Sequence, residues 1–116
     1  TEHAYIAVAA HRSLLPGTEM ALFGYFPEWD RATCMRRHVF NDKIAGDYIE
    51  SERPAAVILT ERDFRRNSTL TSLDPAERES NARRIKSLIE RHYKLEHTVS
   101  DFGQWHETMY VYLRTD

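Results

Sequence analysis

The sequence predicts one small α/β domain of three layers, with a mixed, Rossmann-like sheet that is mostly parallel at its centre and ends in an antiparallel hairpin. Two segments, Glu19–Phe26 and Ala55–Thr60, are apolar at nearly every position, which is typical of strands covered on both faces. Helical patterns separate these segments, and strands that alternate with helices favour parallel neighbours joined by right-handed crossovers. Residues 107–114 alternate with period two, which favours an antiparallel hairpin.

The first half of the chain begins with a predicted helix over residues 2–15, rich in alanine and stopped by Pro16-Gly17. Pro27 ends the apolar strand that follows. Residues 28–31 have the composition of a loop, and a short strand is expected over Cys34–Phe40. Asn41 or Asp42 then starts a helix whose apolar residues recur at helical spacing.

The second half carries the clearest local signals. Arg53-Pro54 breaks the preceding helix before the strand 55–60, and the polar residues 61–73 have the composition of a loop. Asp74, with Pro75 after it and Glu77 three positions on, is a strong helix-start pattern, and this helix is expected to reach Tyr93. Two strands, residues 95–102 and 107–114, follow it.

The whole-chain composition sets the limits on function. A length of 116 residues suits a single domain, and a net charge of −2 produces no overall field for nucleic acid, which is not expected as a partner. No apolar run approaches the roughly 20 residues that span a bilayer. Because the chain begins at Thr1 rather than Met, we expect that it was either processed or cut from a longer protein, whose missing part could hold a membrane segment.

The best candidate binding site lies in the loops that follow the two apolar strands. Ligands of open α/β sheets bind beyond the carboxyl ends of parallel strands, where both loops are expected to meet. Guanidinium groups suit oxyanions and an indole suits stacking on a sugar, so a sugar or phosphate ligand is predicted, although the same residues also suit a solvated surface with weak salt bridges. The candidate ligand-binding residues are Trp29, Asp30, Arg31, Glu61, Arg62, Asp63, Arg65 and Arg66.

Catalytic and metal chemistry find little support in the sequence. The six histidines include no His-x-x-x-His pair, and the single Cys34 cannot form an internal disulfide. His38 follows Cys34 by four positions, about 13 Å along a strand, which is too far for a thiol–imidazole contact. No catalytic residue, metal or cofactor is therefore predicted.

Taken in order, the segments of the chain resemble the C-terminal soluble domain of a polytopic membrane glycosyltransferase. The family meant is the protein-mannosyltransferase or aminoarabinose-transferase type, which uses polyprenyl-phosphate sugar donors. The resemblance covers nearly the whole chain. Its segments are the opening helix with Leu15-Pro16-Gly17, the strand Met20–Phe26, residues 53–59, the helix ending at Tyr93-Lys94-Leu95, Phe102-Gly103 and the closing segment 110–114.

The resemblance implies an accessory domain on the extracytoplasmic (periplasmic or exterior) face of a membrane. Its partners would be the transmembrane portion of the same polypeptide and a lipid-linked sugar or glycan acceptor. The catalytic carboxylate of such transferases lies on a loop between transmembrane helices, so no catalytic residue is carried over to this chain. Two alternatives remain open: a free-standing module that binds a sugar or phosphate, and a protein-interaction domain that pairs through an exposed edge at strand 107–114.

Overall fold

The computed structural model describes residues 4–18, 25–61 and 74–116. Within these ranges the chain forms helices and a three-stranded sheet, and most of the second half follows the predicted order. The helix over residues 2–15 is shorter than expected, since it ends at Ala9. The elements are α1 (Ala4–Ala9), α2 (Arg31–Arg37), α3 (Asp42–Ser51), β1 (Ala56–Thr60), α4 (Pro75–His92), β2 (Tyr93–Phe102) and β3 (Glu107–Arg114).

The sheet corrects the predicted fold class. Its order is β1-β3-β2, and both neighbouring pairs are antiparallel, so the Rossmann-like sheet with a mostly parallel centre is wrong. β1 has the predicted position, but it pairs with the last strand of the chain, with Ala56 opposite Leu113 and Thr60 opposite Met109. An apolar run indicates that a strand is covered on both faces; it does not specify the neighbour or its direction. The strand predicted over Glu19–Phe26 lies, for residues 19–24, outside the described residues.

The order of the strands also corrects the expected interaction edge. Strand 107–114 is β3, which lies between β1 and β2 and is not an edge. Among the described strands β2 is terminal, and its residues 94–101 are exposed. Its pairing with β3 shifts register between Leu95 and His97 and again between Val99 and Phe102. Such bulges, together with charged side chains, are features that discourage edge-to-edge pairing.

The core lies on one face of the sheet. Val57 of β1 and Tyr112 of β3 are register partners, and both pack with side chains from the helices α3 and α4. α3 packs against α4, and α4 also contacts β2. Tyr93 closes this core from the start of β2, where its hydroxyl donates to the carbonyl of Pro54 at 2.8 Å. The buried cluster comprises Ile49, Val57, Leu88, Ile89 and Tyr93.

The helix starts follow local rules. Asn41 caps α3 by accepting from the amide of Ile44, and Asp74 caps α4 by accepting from the amide of Ala76, with Pro75 in the first turn. Both helices were predicted from these residues. Of the described helices, none is both long enough and apolar enough to cross a membrane.

The short strand predicted over Cys34–Phe40 is wrong, because residues 31–37 form α2. The carboxylate of Asp30 accepts from the amide of Thr33 and starts this helix. His38 ends it in the left-handed conformation, at a φ of 55°. Only one residue of α2, Cys34, is buried, so the sequence has no apolar periodicity from which the helix could be recognised.

Candidate functional site

The candidate site was predicted from two loops. The structure describes the first of them, the segment between Phe26 and α2. Phe26 stays beside α3 because its amide donates to the carbonyl of Phe40 at 2.9 Å. The ring of Trp29 stacks on that of Phe26, with centroids 4.2 Å apart and planes 19° apart. The indole is half-buried. One face of the predicted stacking platform is therefore already covered by a ring of the protein itself.

Asp30 is the N-terminal cap of α2. Its carboxylate accepts from the amide of Thr33 at 2.7 Å. This hydrogen bond, assisted by the Thr33 hydroxyl and by the positive charge of Arg36, lowers the pKa of Asp30. The side chain is exposed and ionised, but its position is explained by capping the helix.

Arg31 belongs to a network of surface charges that joins three helices. Its guanidinium donates to one oxygen of Asp47 at 2.9 Å, and Arg84 donates to the other oxygen at 2.8 Å. Arg84 also donates to Glu50 at 3.1 Å, and these bonds, above all the one to Asp47, raise the pKa of the Arg84 guanidinium. The partners are well exposed, so each pair contributes only about 0–1 kcal/mol. An incoming oxyanion would have to compete with Asp47 for Arg31.

Glu61 is half-buried at the residue after β1. The remaining residues predicted for the second loop, Arg62, Asp63, Arg65 and Arg66, lie outside the described residues. The meeting of the two loops at one ligand therefore remains a prediction. On the described side, the structure brings Trp29, Asp30 and Arg31 together only as neighbours along the chain, and each of them has a partner within the protein.

Asn41 organises this region, and the sequence identified it only as a helix start. The residue is 3% exposed. Its amide oxygen accepts from the amide of Ile44 at 2.9 Å, while its Nδ2 donates to the carbonyl of Trp29 at 2.8 Å. Nδ2 also lies 3.7 Å from the Sγ of Cys34. One buried side chain thus holds the Trp29 loop, α2 and α3 together, which its position 12 residues after Trp29 does not reveal.

Cys34 is fully buried and lacks the features of a nucleophile. Its thiol faces the carbonyls of Phe26 and Trp29, each at 3.9 Å. Burial raises the pKa of the thiol, and the negative charges of Asp30 and Glu28 raise it further. The reactive thiolate is therefore disfavoured, and Cys34 acts as a small packed side chain.

A cavity of about 1040 Å³ lies between α1, α3, β1 and α4. Most of its lining is apolar, and its polar wall includes the hydroxyl of Tyr25, which donates to Asp42 at 2.5 Å. Burial raises the pKa of Asp42, and burial together with the bond to Asp42 raises that of Tyr25. Thr18 and Tyr25 both line the cavity, and they flank residues 19–24, which the structure does not describe. We therefore assign this cavity no ligand.

Within residues 4–18, 25–61 and 74–116, no group of three or more histidine, cysteine or acidic side chains could hold a metal ion. The described part of the candidate site therefore contains a stacked indole, a capping carboxylate and a paired guanidinium, all of which stabilise the local fold.

Comparison of the chain with protein-family models, with curated proteins and with solved structures gives no match.

Proposed function

We propose that this chain is an accessory domain of a membrane glycosyltransferase that transfers a sugar from a polyprenyl-phosphate donor. The domain lies on the extracytoplasmic face of the membrane and is joined to the transmembrane portion of the same polypeptide. It helps to position the lipid-linked donor or the glycan acceptor, while the chemistry takes place on the membrane-embedded part. The observation that carries the proposal is the ordered resemblance of segments spread over nearly the whole chain.

The described side chains are consistent with a supporting role. Asp30 caps α2, Arg31 pairs with Asp47, and the thiol of Cys34 is buried among backbone carbonyls. Each of these three side chains therefore serves the local fold. In line with the resemblance, we place the reacting groups of the transferase outside this chain.

The proposal makes a direct prediction about the parent gene. The reading frame that encodes this domain should also encode several transmembrane helices upstream of Thr1, with an acidic residue on an extracytoplasmic loop between them. Sequencing the transcript that contains these 116 residues tests this prediction. A complete reading frame of about this length, without upstream membrane segments, would refute the proposed function.

A second experiment tests the role of the domain within such a protein. Membranes that contain the full parent protein are compared with membranes that contain the protein truncated before Thr1. The measured quantity is transfer of radiolabelled sugar from a polyprenyl-phosphate donor, normalised to the amount of transferase in the membrane. We expect the truncated protein to lose transfer while still inserting into the membrane. Unchanged transfer after truncation would exclude the positioning role.

A further inference from the structure

Residues 27–39, which comprise the Trp29 loop and α2, form a segment whose two ends lie side by side; we call this segment the α2 flap. At its base the amide of Phe26 donates to the carbonyl of Phe40 at 2.9 Å, and Tyr25 and Phe40 form a parallel β-bridge. The rings of Tyr25 and Phe40 pack against each other, with centroids 5.5 Å apart. Compact surface segments of about 6–16 residues with adjacent ends are Ω-loops, which are frequently functional.

The α2 flap has hydrogen bonds of its own. The carboxylate of Asp30 caps α2 at the amide of Thr33, and the amide of Val39 donates to the carbonyl of Cys34 at 3.1 Å. The thiol of Cys34 also faces the carbonyl of Trp29 within the same segment. These contacts join residues at most five positions apart, so they do not depend on the packing of the segment against α3.

The contacts that join the α2 flap to α3 are mainly polar. The amide of the Asn41 side chain donates to the carbonyl of Trp29 at 2.8 Å, and Asp47 accepts from Arg31 at 2.9 Å. The side chain of Arg31 is 61% exposed, so this ion pair is weak. Cys34 is the one buried residue of α2, whereas α3 has three. Segments that bury little apolar surface open at a lower free energy than the core of a protein.

We propose that the α2 flap opens as one unit while α3, α4 and the sheet stay folded. It turns about its base, which lies at Phe26 and at Val39, where the carbonyl of Val39 packs on the backbone of Gly17. Opening separates Trp29 from Asn41 and exposes the thiol of Cys34 to solvent.

Opening of the α2 flap also changes the candidate site. In the closed form the ring of Trp29 stacks on that of Phe26, and the guanidinium of Arg31 pairs with Asp47. The open form frees both groups together. A sugar or phosphate that contacts Trp29 and Arg31 would therefore select the open form, because these side chains lose their internal partners only there.

Cys34 reports the opening, because it is the only cysteine of the chain and is fully buried in the closed form. Its reaction with excess dithionitrobenzoate at about pH 8 is followed by absorbance, at two reagent concentrations and in urea below the unfolding transition. We expect a rate that is proportional to the reagent concentration and depends only weakly on urea. Opening of the flap exposes much less surface than global unfolding, and the dependence on urea scales with the surface exposed.

Two arginine variants provide the comparison. Arg31→Ala should raise the rate of the Cys34 reaction without urea about two- to fivefold, since the ion pair with Asp47 exists only in the closed form. Arg83→Ala is the matched control: it removes an exposed arginine that pairs with Glu79 within α4 at 3.2 Å, and it should leave the rate unchanged.

The proposal is wrong if the rate depends on urea as steeply as global unfolding does at every urea concentration, because Cys34 would then react only in the unfolded chain. It is also wrong if the thiol of the native protein reacts as fast as that of the unfolded chain, since the flap would then not be closed. Equal rates for Arg31→Ala and Arg83→Ala would likewise overturn it. None of these results depends on the parent gene, so the proposed function is tested separately.

Discussion

Replacing Asn41 with alanine removes a side chain that bonds to two separate parts of the candidate site. The amide oxygen of Asn41 caps α3 at Ile44, and its Nδ2 is a hydrogen-bond donor to the carbonyl of Trp29. The residue is almost fully buried, so water does not readily replace these bonds. The variant therefore tests whether the Trp29 loop is held by α3 or only by its own backbone.

The expected loss is the sum of two terms. Loss of a helix cap costs about 1 kcal/mol, and a carbonyl left without its donor in a buried position costs about 1–3 kcal/mol. Asn41→Ala should therefore lower the free energy of unfolding by about 2–4 kcal/mol. Asn41→Asp keeps the acceptor for Ile44 but places a carboxylate against the carbonyl of Trp29. It should be destabilised at neutral pH and should regain stability as the carboxyl is protonated in acid.

The assay is equilibrium unfolding in urea, followed by far-UV circular dichroism, at pH 7 for all variants and also at pH 4 for Asn41→Asp. Asn81→Ala is the matched control, because Asn81 lies in the middle of α4 and alanine favours a helix. Its free energy of unfolding should change by no more than about 0.5 kcal/mol. A loss below about 1 kcal/mol for Asn41→Ala would refute the reasoning, since it would mean that the carbonyl of Trp29 finds another donor.

Two further predictions concern ionisable groups near the site. Asp42→Asn should remove part of the pH dependence of stability: the raised pKa of Asp42 means that the folded protein binds this proton more tightly than the unfolded chain. The free energy of unfolding of the native protein should therefore fall relative to that of the variant as the pH rises above about 4. Urea titrations at several pH values measure this difference, and a difference that does not change with pH would contradict the raised pKa of Asp42. Arg31→Ala should lower the free energy of unfolding by no more than about 1 kcal/mol in the same assay, because Arg31 and Asp47 are both well exposed. A larger loss would show that the ion pairs of this network contribute substantially to the stability of the fold.

The elements predicted correctly are those with complete local signals. Asp74 and Pro75 define the start of α4, Asn41 defines that of α3, and the alternation of residues 107–114 predicts β3 within an antiparallel hairpin. Caps and turns form between residues a few positions apart, so the sequence contains all the interacting groups. The helix α2 was missed because Asp30, its cap, was assigned to a loop, although the pair Asp30 and Thr33 could have revealed the cap.

The contacts of the candidate site, unlike the helix caps, join residues that are distant in the sequence or have no local signal, and the ligand site itself stays a prediction. The sequence predicts that Trp29 and Arg31 contact a ligand, but it does not show that Trp29 stacks on Phe26 and that Arg31 pairs with Asp47. The sequence alone does not tell whether an arginine is unpaired or forms an ion pair with a carboxylate 16 residues away. Only the folded structure, in which Arg31 of α2 lies 2.9 Å from Asp47 of α3, distinguishes the two cases.

The sequence by itself determined an α/β composition, the positions of α3, β1 and α4, and the hairpin of β2 and β3. The tertiary structure alone decided that β1 pairs antiparallel with β3, and so excluded the Rossmann-like sheet. The physical reason is that a helix cap or a hairpin turn is a short-range interaction, specified by neighbouring residues. The partner of β1 lies about fifty residues along the chain, and many apolar strands would satisfy its burial equally well.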